Sequence, residues 1–158
     1  FNNNISINTV ITASTSEKKE IFQKAKINFN IINGKINFNK TKLINNKIGL
    51  LELDNSNLGF KNDRLILNTD IMIKINNSDK LFSMLQTNKK FRKSIKNIFI
   101  NLDYDFLAKQ IEFNNIKIDN KEVNDQLYRI IDGLSDNRLS NWNRNKRLLN
   151  DFFINYEG

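Results

Sequence analysis

The acidic residues best spaced for chemistry are Asp103 and Asp105, in the run Asn101-Leu102-Asp103-Tyr104-Asp105. Alternate residues of a strand share a face, so both carboxylates project away from Leu102 and Tyr104. Such a pair can hold a hard cation through oxygen or serve as an acid and a base. The same spacing describes two solvated charges on the wet side of an amphipathic strand, and composition favours that plainer reading. The chain has no His and no Cys, which removes the commonest general base and the commonest soft nucleophile. No glycine-rich phosphate loop occurs either. The expectation is a protein that is not an enzyme and that has no metal or cofactor.

Two basic clusters interleave with aromatic residues. Lys89, Lys90, Arg92, Lys93 and Lys96 surround Phe91, and Arg138, Arg144, Lys146 and Arg147 surround Trp142. Lysine and arginine beside an aromatic ring suit phosphate backbones and base stacking. Trp142, however, falls on the apolar stripe of its helix, where burial is expected, and no RNA-recognition, KH or helix-turn-helix signature is present. Contact with anionic headgroups is therefore the preferred role for Lys89, Lys90, Arg92, Lys93, Arg144 and Arg147, ahead of nucleic acid. The net charge of +8 adds little, because heavy use of Asn, Ile and Lys looks like an AT-rich coding bias that makes lysine the default surface residue.

These groups must be positioned by strands first and helices last. At 158 residues the chain is one ordinary domain or a piece of something larger, able to bury roughly 68–70% of its unfolded surface. Because it begins at Phe1, it reads as a fragment of a longer protein. No run approaches the ~18 apolar residues of a membrane span. From Arg64 to Ile75, Leu65, Leu67, Ile71, Ile73 and Ile75 share one face with Thr69, while Arg64, Asn68, Asp70 and Lys74 take the other with Ile66 and Met72. That alternation predicts one long strand.

Further strands are predicted at Asn3–Thr12 and at Ile48–Leu53. Asp54-Asn55-Ser56-Asn57 then reads as a turn before a short strand at Leu58-Gly59-Phe60. Asn33-Gly34 predicts a two-residue hairpin between Lys26–Ile32 and Lys35–Lys42, with Ile31 opposite Ile36 and Phe29 opposite Phe38. Thr15–Gln23 is a loop or short helix. Ser78 should cap a short helix near 79–90, and Ile95–Phe106 and Ile111–Ile118 return to strand, the latter broken by a bulge or tight turn at Asn114-Asn115. Asp119 with Glu122 fits a capping box before a helix that Gly133 ends. A second helix from Asn141 to Tyr156 carries the stripe Trp142, Leu149, Phe152, Phe153 and Tyr156. The fold class is mainly β with C-terminal helices (α+β). It consists of a long, twisted antiparallel meander over 1–118 and a helical pair over 119–158 packing on it.

Two helices cover about half of such a sheet. The exposed remainder either forms an open gutter, apolar and concave on one side and polar and convex on the other, or lies against a second layer elsewhere in the protein. Pattern alone leaves both open.

The meander segments Ile31-Ile32-Asn33-Gly34-Lys35-Ile36-Asn37-Phe38, Leu51-Glu52-Leu53-Asp54-Asn55-Ser56 and Asp63-Arg64-Leu65-Ile66-Leu67-Asn68, with the closing run from Asn101 to Gly158, resemble the C-terminal region of AsmA-like proteins, the group that includes TamB and YhdP. The resemblance covers nearly the whole chain. It implies a periplasmic segment of an inner-membrane-anchored protein, whose sheet forms a hydrophobic groove for phospholipid transport or supports outer-membrane assembly proteins. No catalytic residues belong to that picture. The groove candidates are Ile27, Phe29, Ile31, Ile36, Phe38, Leu65, Leu67, Ile71, Ile73, Ile98, Ile100 and Leu102. The alternatives are a structural cap of a longer sheet protein and, less favoured, a basic nucleic-acid-binding module.

Overall fold

The structure is a computed structural model that describes residues 6–16, 21–135 and 141–157. Its strands are β1 (Ile7–Ser14), β2 (Lys24–Ile32), β3 (Lys35–Asn37), β4 (Thr41–Asn45), β5 (Gly49–Lys61), β6 (Arg64–Ile75), β7 (Asn97–Asp105), β8 (Gln110–Ile118) and β9 (Lys121–Glu122). They form a single nine-stranded sheet in the order β1-β2-β3-β5-β6-β7-β8-β9, with β4 also between β2 and β5. Each pairing is antiparallel. The helices are α1 (Ser78–Met84), α2 (Asp125–Ile131) and α3 (Trp142–Asn155), with 3-10 turns at Lys89–Phe91 and Asp132–Leu134. This is the α+β meander with C-terminal helices that the alternation predicts.

The long strand runs from Arg64 to Ile75 as expected, and the Asn33-Gly34 hairpin sets Ile31 opposite Ile36. Both turn residues have positive φ, 49° and 73°, as a type I′ turn requires. The second half of that hairpin differs from the expectation of one strand over Lys35–Lys42. The chain leaves the ladder after Asn37 and rejoins it at Thr41, with Lys40 at φ 64°. Phe38 still meets Phe29, ring centroids 5.6 Å apart.

A matching irregularity replaces the turn expected at Asp54–Asn57. Here β5 continues through a bulge, the register shifting between Asp54 and Asn57 with Asn55 at φ 46°. The two irregularities are tied together: the Asn39 side chain accepts from the Ser56 N–H at 2.6 Å, and Asn28 donates to the Lys40 carbonyl at 2.7 Å. Polar side chains thus replace backbone bonds that a regular ladder would have made. The bulge expected in β8 is present, Asn101 pairing with Asn115 and Leu102 with Phe113.

Three helix signals land differently from the sequence expectation. Asn77, not Ser78, caps α1, its side chain accepting from the Lys80 N–H at 3.0 Å. Asp119 with Glu122 is no capping box. Asp119 and Asn120 have positive φ (48° and 67°) and turn β8 into β9, while Asn124 caps α2. Asp119 instead accepts from the N–H groups of Lys96 and Asn97 at 3.0 and 2.8 Å. Gly133 lies within the 3-10 turn after α2, where a Cβ would stand 3.0 Å from Leu148, so its smallness serves helix packing. α3 matches its expected range, with Asn141 as cap.

The core sits between these helices and one end of the sheet. Phe82 and Leu85 from the α1 turn, Leu127 and Ile131 from α2, and Phe152, Phe153 and Tyr156 from α3 bury Ile75, Ile98, Ile116 and Ile118. Phe82 and Phe152 both meet Phe153 edge to face, at 5.4 and 5.3 Å.

Candidate functional site

Strand register assembles one apolar face across the whole sheet. Ile7, Ile31, Ile36, Leu58, Leu67, Tyr104 and Ile111 are successive cross-strand neighbours from β1 to β8. Nearer the other end runs a second row: Ala13, Ala25, Leu43, Leu51, Ile73, Ile98 and Ile118. The rows meet different fates. The second passes under the helices at Ile73 and is buried at Ile98 and Ile118, whereas no residue of the first belongs to the helix-packed core.

The groove candidates divide along that line. Ile98 is in the core, and Ile73 and Ile100 pack against it, so these three are covered by the protein's own helices. Ile36 and Leu102 are buried within the sheet outside that cluster. Ile27, Phe29, Ile31, Phe38, Leu65, Leu67 and Ile71 are half-buried on the uncovered side. Leu43, Leu51, Leu53 and Leu58 stand on the same face and were not among the expected residues. The bulge at Asn55-Ser56 hides their common phase, because one inserted residue flips every later side chain. Between the large residues lie Thr41, Ser56 and Thr69, three small polar side chains that are nonetheless buried.

The opposite face is an amide surface. Asn8, Asn30, Asn37, Asn57, Asn68, Asp103 and Glu112 are cross-strand neighbours behind the first apolar row. Asn30 donates to Asn37 at 3.1 Å and Asn68 to Asp103 at 2.6 Å. This face holds a hollow of about 730 Å³, lined by Asn8, Asn28, Asn37, Lys40, Lys42 and Glu52 among others.

Asp103 and Asp105 share this face but have separate structural duties. Asp105 is buried, meets Arg64 Nη1 at 3.3 Å, and accepts from the N–H groups of Leu107 and Ala108 at 2.8 and 2.9 Å. It therefore fixes the turn after β7. Among the described residues no group of three metal-binding side chains exists.

The basic clusters do not merge into one patch. Lys89 and Lys90 are exposed, but Arg92 donates to the Thr87 carbonyl at 3.0 Å and stands 3.9 Å from Asp79. Lys93 binds the Tyr156 carbonyl and lies over the Tyr156 ring, 5.4 Å from its centroid. Arg144 Nη2 donates to the Gly133 carbonyl at 2.6 Å, while Arg147 is exposed. At 1.5 Å per residue, α3 separates Arg144 from Tyr156 by about 18 Å. Trp142, expected to be buried on the stripe, is 41% exposed, because it opens the helix while the core contacts fall near its other end. Arg138 lies outside the described residues.

Among the described residues no helix is long and apolar enough to cross a membrane. Comparison of the chain with protein-family models, with curated proteins and with solved structures finds no match.

Proposed function

We propose that this chain is a non-enzymatic segment that binds phospholipid acyl chains along the uncovered part of its apolar sheet face, as the resemblance to AsmA-like proteins implies. One observation carries the reading. The apolar face is continuous from β1 to β8, yet the helices cover only the part of β6–β8 around Ile73, Ile75, Ile98, Ile116 and Ile118, leaving Phe29, Phe38, Leu53, Leu65, Leu67 and Ile71 outside the core. A contiguous apolar surface of this extent marks a site of interaction, and one carrying few hydrogen-bonding groups suits a hydrocarbon chain. In this reading the protein acts in the periplasm as part of an inner-membrane-anchored chain, in phospholipid transport or outer-membrane assembly.

The structural alternative has support of its own. The helix-packed end resembles a terminus for a sheet, and the uncovered face would then be closed by another layer of protein. The nucleic-acid reading is weaker, since Arg92, Lys93 and Arg144 hold elements together.

Displacement of a fluorescent phospholipid separates the readings. Leu53→Asn with Leu67→Asn should abolish binding in a protein that keeps its helix-packed core, judged by near-UV circular dichroism. Undiminished binding by the folded double variant would refute the assignment of this face.

A further inference from the structure

One end of the sheet is built unlike the other. Ile36 pairs with Leu58 and Ile66 with Asp105, so the β2–β3, β5–β6 and β7–β8 turns all project from the same end. Ile7 reaches it too, opposite Ile31. The tips lie in line, about 10 Å apart at two strand spacings each. Each carries an exposed apolar side chain with a lysine close by in sequence, Phe60 with Lys61, Leu107 with Lys109, and Ile32 with Lys35, the last on the polar face beside its hollow. Phe60 is 72% exposed and Leu107 69%, the highest values among the large apolar residues described. The opposite end is occupied by α1 and the loops that feed the core.

Exposure here is held by design of the turns. Asp105 secures the Phe106–Lys109 turn through two backbone bonds and Arg64, and Phe106 N–H donates to the Leu65 carbonyl at 3.0 Å. Lys35, Lys61 and Lys109 are exposed and form no ion pair among the described residues. Asp63 is the one unpaired acid on these tips, while Asp103 and Glu112 lie two strand positions further in, on the polar face.

We propose that this rim of hairpin tips docks on an anionic bilayer surface. Phe60 and Leu107 enter the headgroup–acyl boundary, and Lys35, Lys61 and Lys109 meet the anionic headgroups. Apolar tips flanked by unpaired cations match both layers of a membrane interface, where apolar burial and electrostatic attraction add. A protein partner would supply carboxylates to these lysines but would gain little from side chains raised singly on separate turns. The proposal deepens the lipid reading: Phe60 and Leu65 are cross-strand neighbours on the apolar face, so the rim is where that face would open to a membrane.

The test is co-sedimentation with vesicles of phosphatidylcholine, with and without phosphatidylglycerol. The chain should bind the mixed vesicles more tightly, and added salt should weaken that binding. Phe60→Asn with Leu107→Asn should reduce affinity about tenfold, equivalent to about 1.4 kcal/mol, without lowering the melting temperature because both side chains are exposed. Lys61→Gln with Lys109→Gln should flatten the salt dependence, and Trp142→Ala should change nothing. Indifference to phosphatidylglycerol, unchanged binding by the Phe60/Leu107 variant, or loss of self-association instead of vesicle binding would each overturn the proposal. Vesicle binding by a protein that takes up no lipid would refute the face assignment alone. Lipid uptake that ignores the rim variants, with vesicle binding unchanged, would refute the rim alone.

Discussion

Asn39 and Ser56 are joined by a 2.6 Å hydrogen bond from the Ser56 N–H to the Asn39 side chain, which locks the interruption between β3 and β4 to the bulge in β5. Without it a part-buried backbone donor loses its partner. Asn39→Ala should therefore cost about 1–3 kcal/mol, measured by urea unfolding. Asn39→Asp, which still offers an acceptor, should lose less. Equal losses would mean that the bond does not hold the bulge.

Two glycines in the same strand should respond in opposite ways. A Cβ on Gly49 would lie 1.9 Å from the Lys74 carbonyl oxygen, and its φ is +155°. Gly49→Ala must push β5 away from β6 and should cost roughly 3 kcal/mol or more. At Gly59 a Cβ meets nothing within 4 Å, so Gly59→Ala should be neutral or stabilising by about 0.5 kcal/mol. Thermal unfolding of the two variants checks the contrast.

Stability should concentrate at the helix-covered end. Phe82→Ala or Leu127→Ala opens a cavity in the core and should cost about 3–5 kcal/mol. Leu67→Ala, on the uncovered face, should cost about 1–2 kcal/mol, since that side chain is less fully buried than Leu127. A Leu67 variant as damaging as Leu127→Ala would show that the face is covered after all.

Tyr156 should give the protein an alkaline sensitivity. Burial, with the charge of Asp119 as the lesser cause, raises its phenol above the usual value of 10.0. With the folded pKa above the unfolded one, its contribution is fully present below about pH 10 and declines as pH rises through the folded value. Tyr156→Phe should lessen the fall in stability above about pH 10, measured as the difference between the two proteins' urea midpoints across pH. An identical alkaline fall in both would remove Tyr156 from the effect.

Alternation and turn chemistry made most of the meander legible: Arg64–Ile75 keeps one phase for twelve residues, and Asn33-Gly34 names its own turn. Two of the misreadings share a cause. Asn and Asp both start helices and take positive φ, so Asp119 reads as a cap but folds with Asn120 as a turn, and Asn55 reads as a turn but folds as a bulge. The extent of the apolar face needed register, because only pairing places Leu53 and Leu58 beside Ile71 and Leu67. Which half the helices cover is a tertiary matter: the stripe on α3 says that it packs, not where.

Native mass spectrometry of the gently purified chain, followed by lipid extraction, is the most direct test of the apolar face as a lipid site. Co-purified phospholipid in defined stoichiometry is expected, lost in the Leu53→Asn/Leu67→Asn variant. A stable protein free of lipid, which also takes none from added phospholipid, would contradict it and leave the sheet a structural cap.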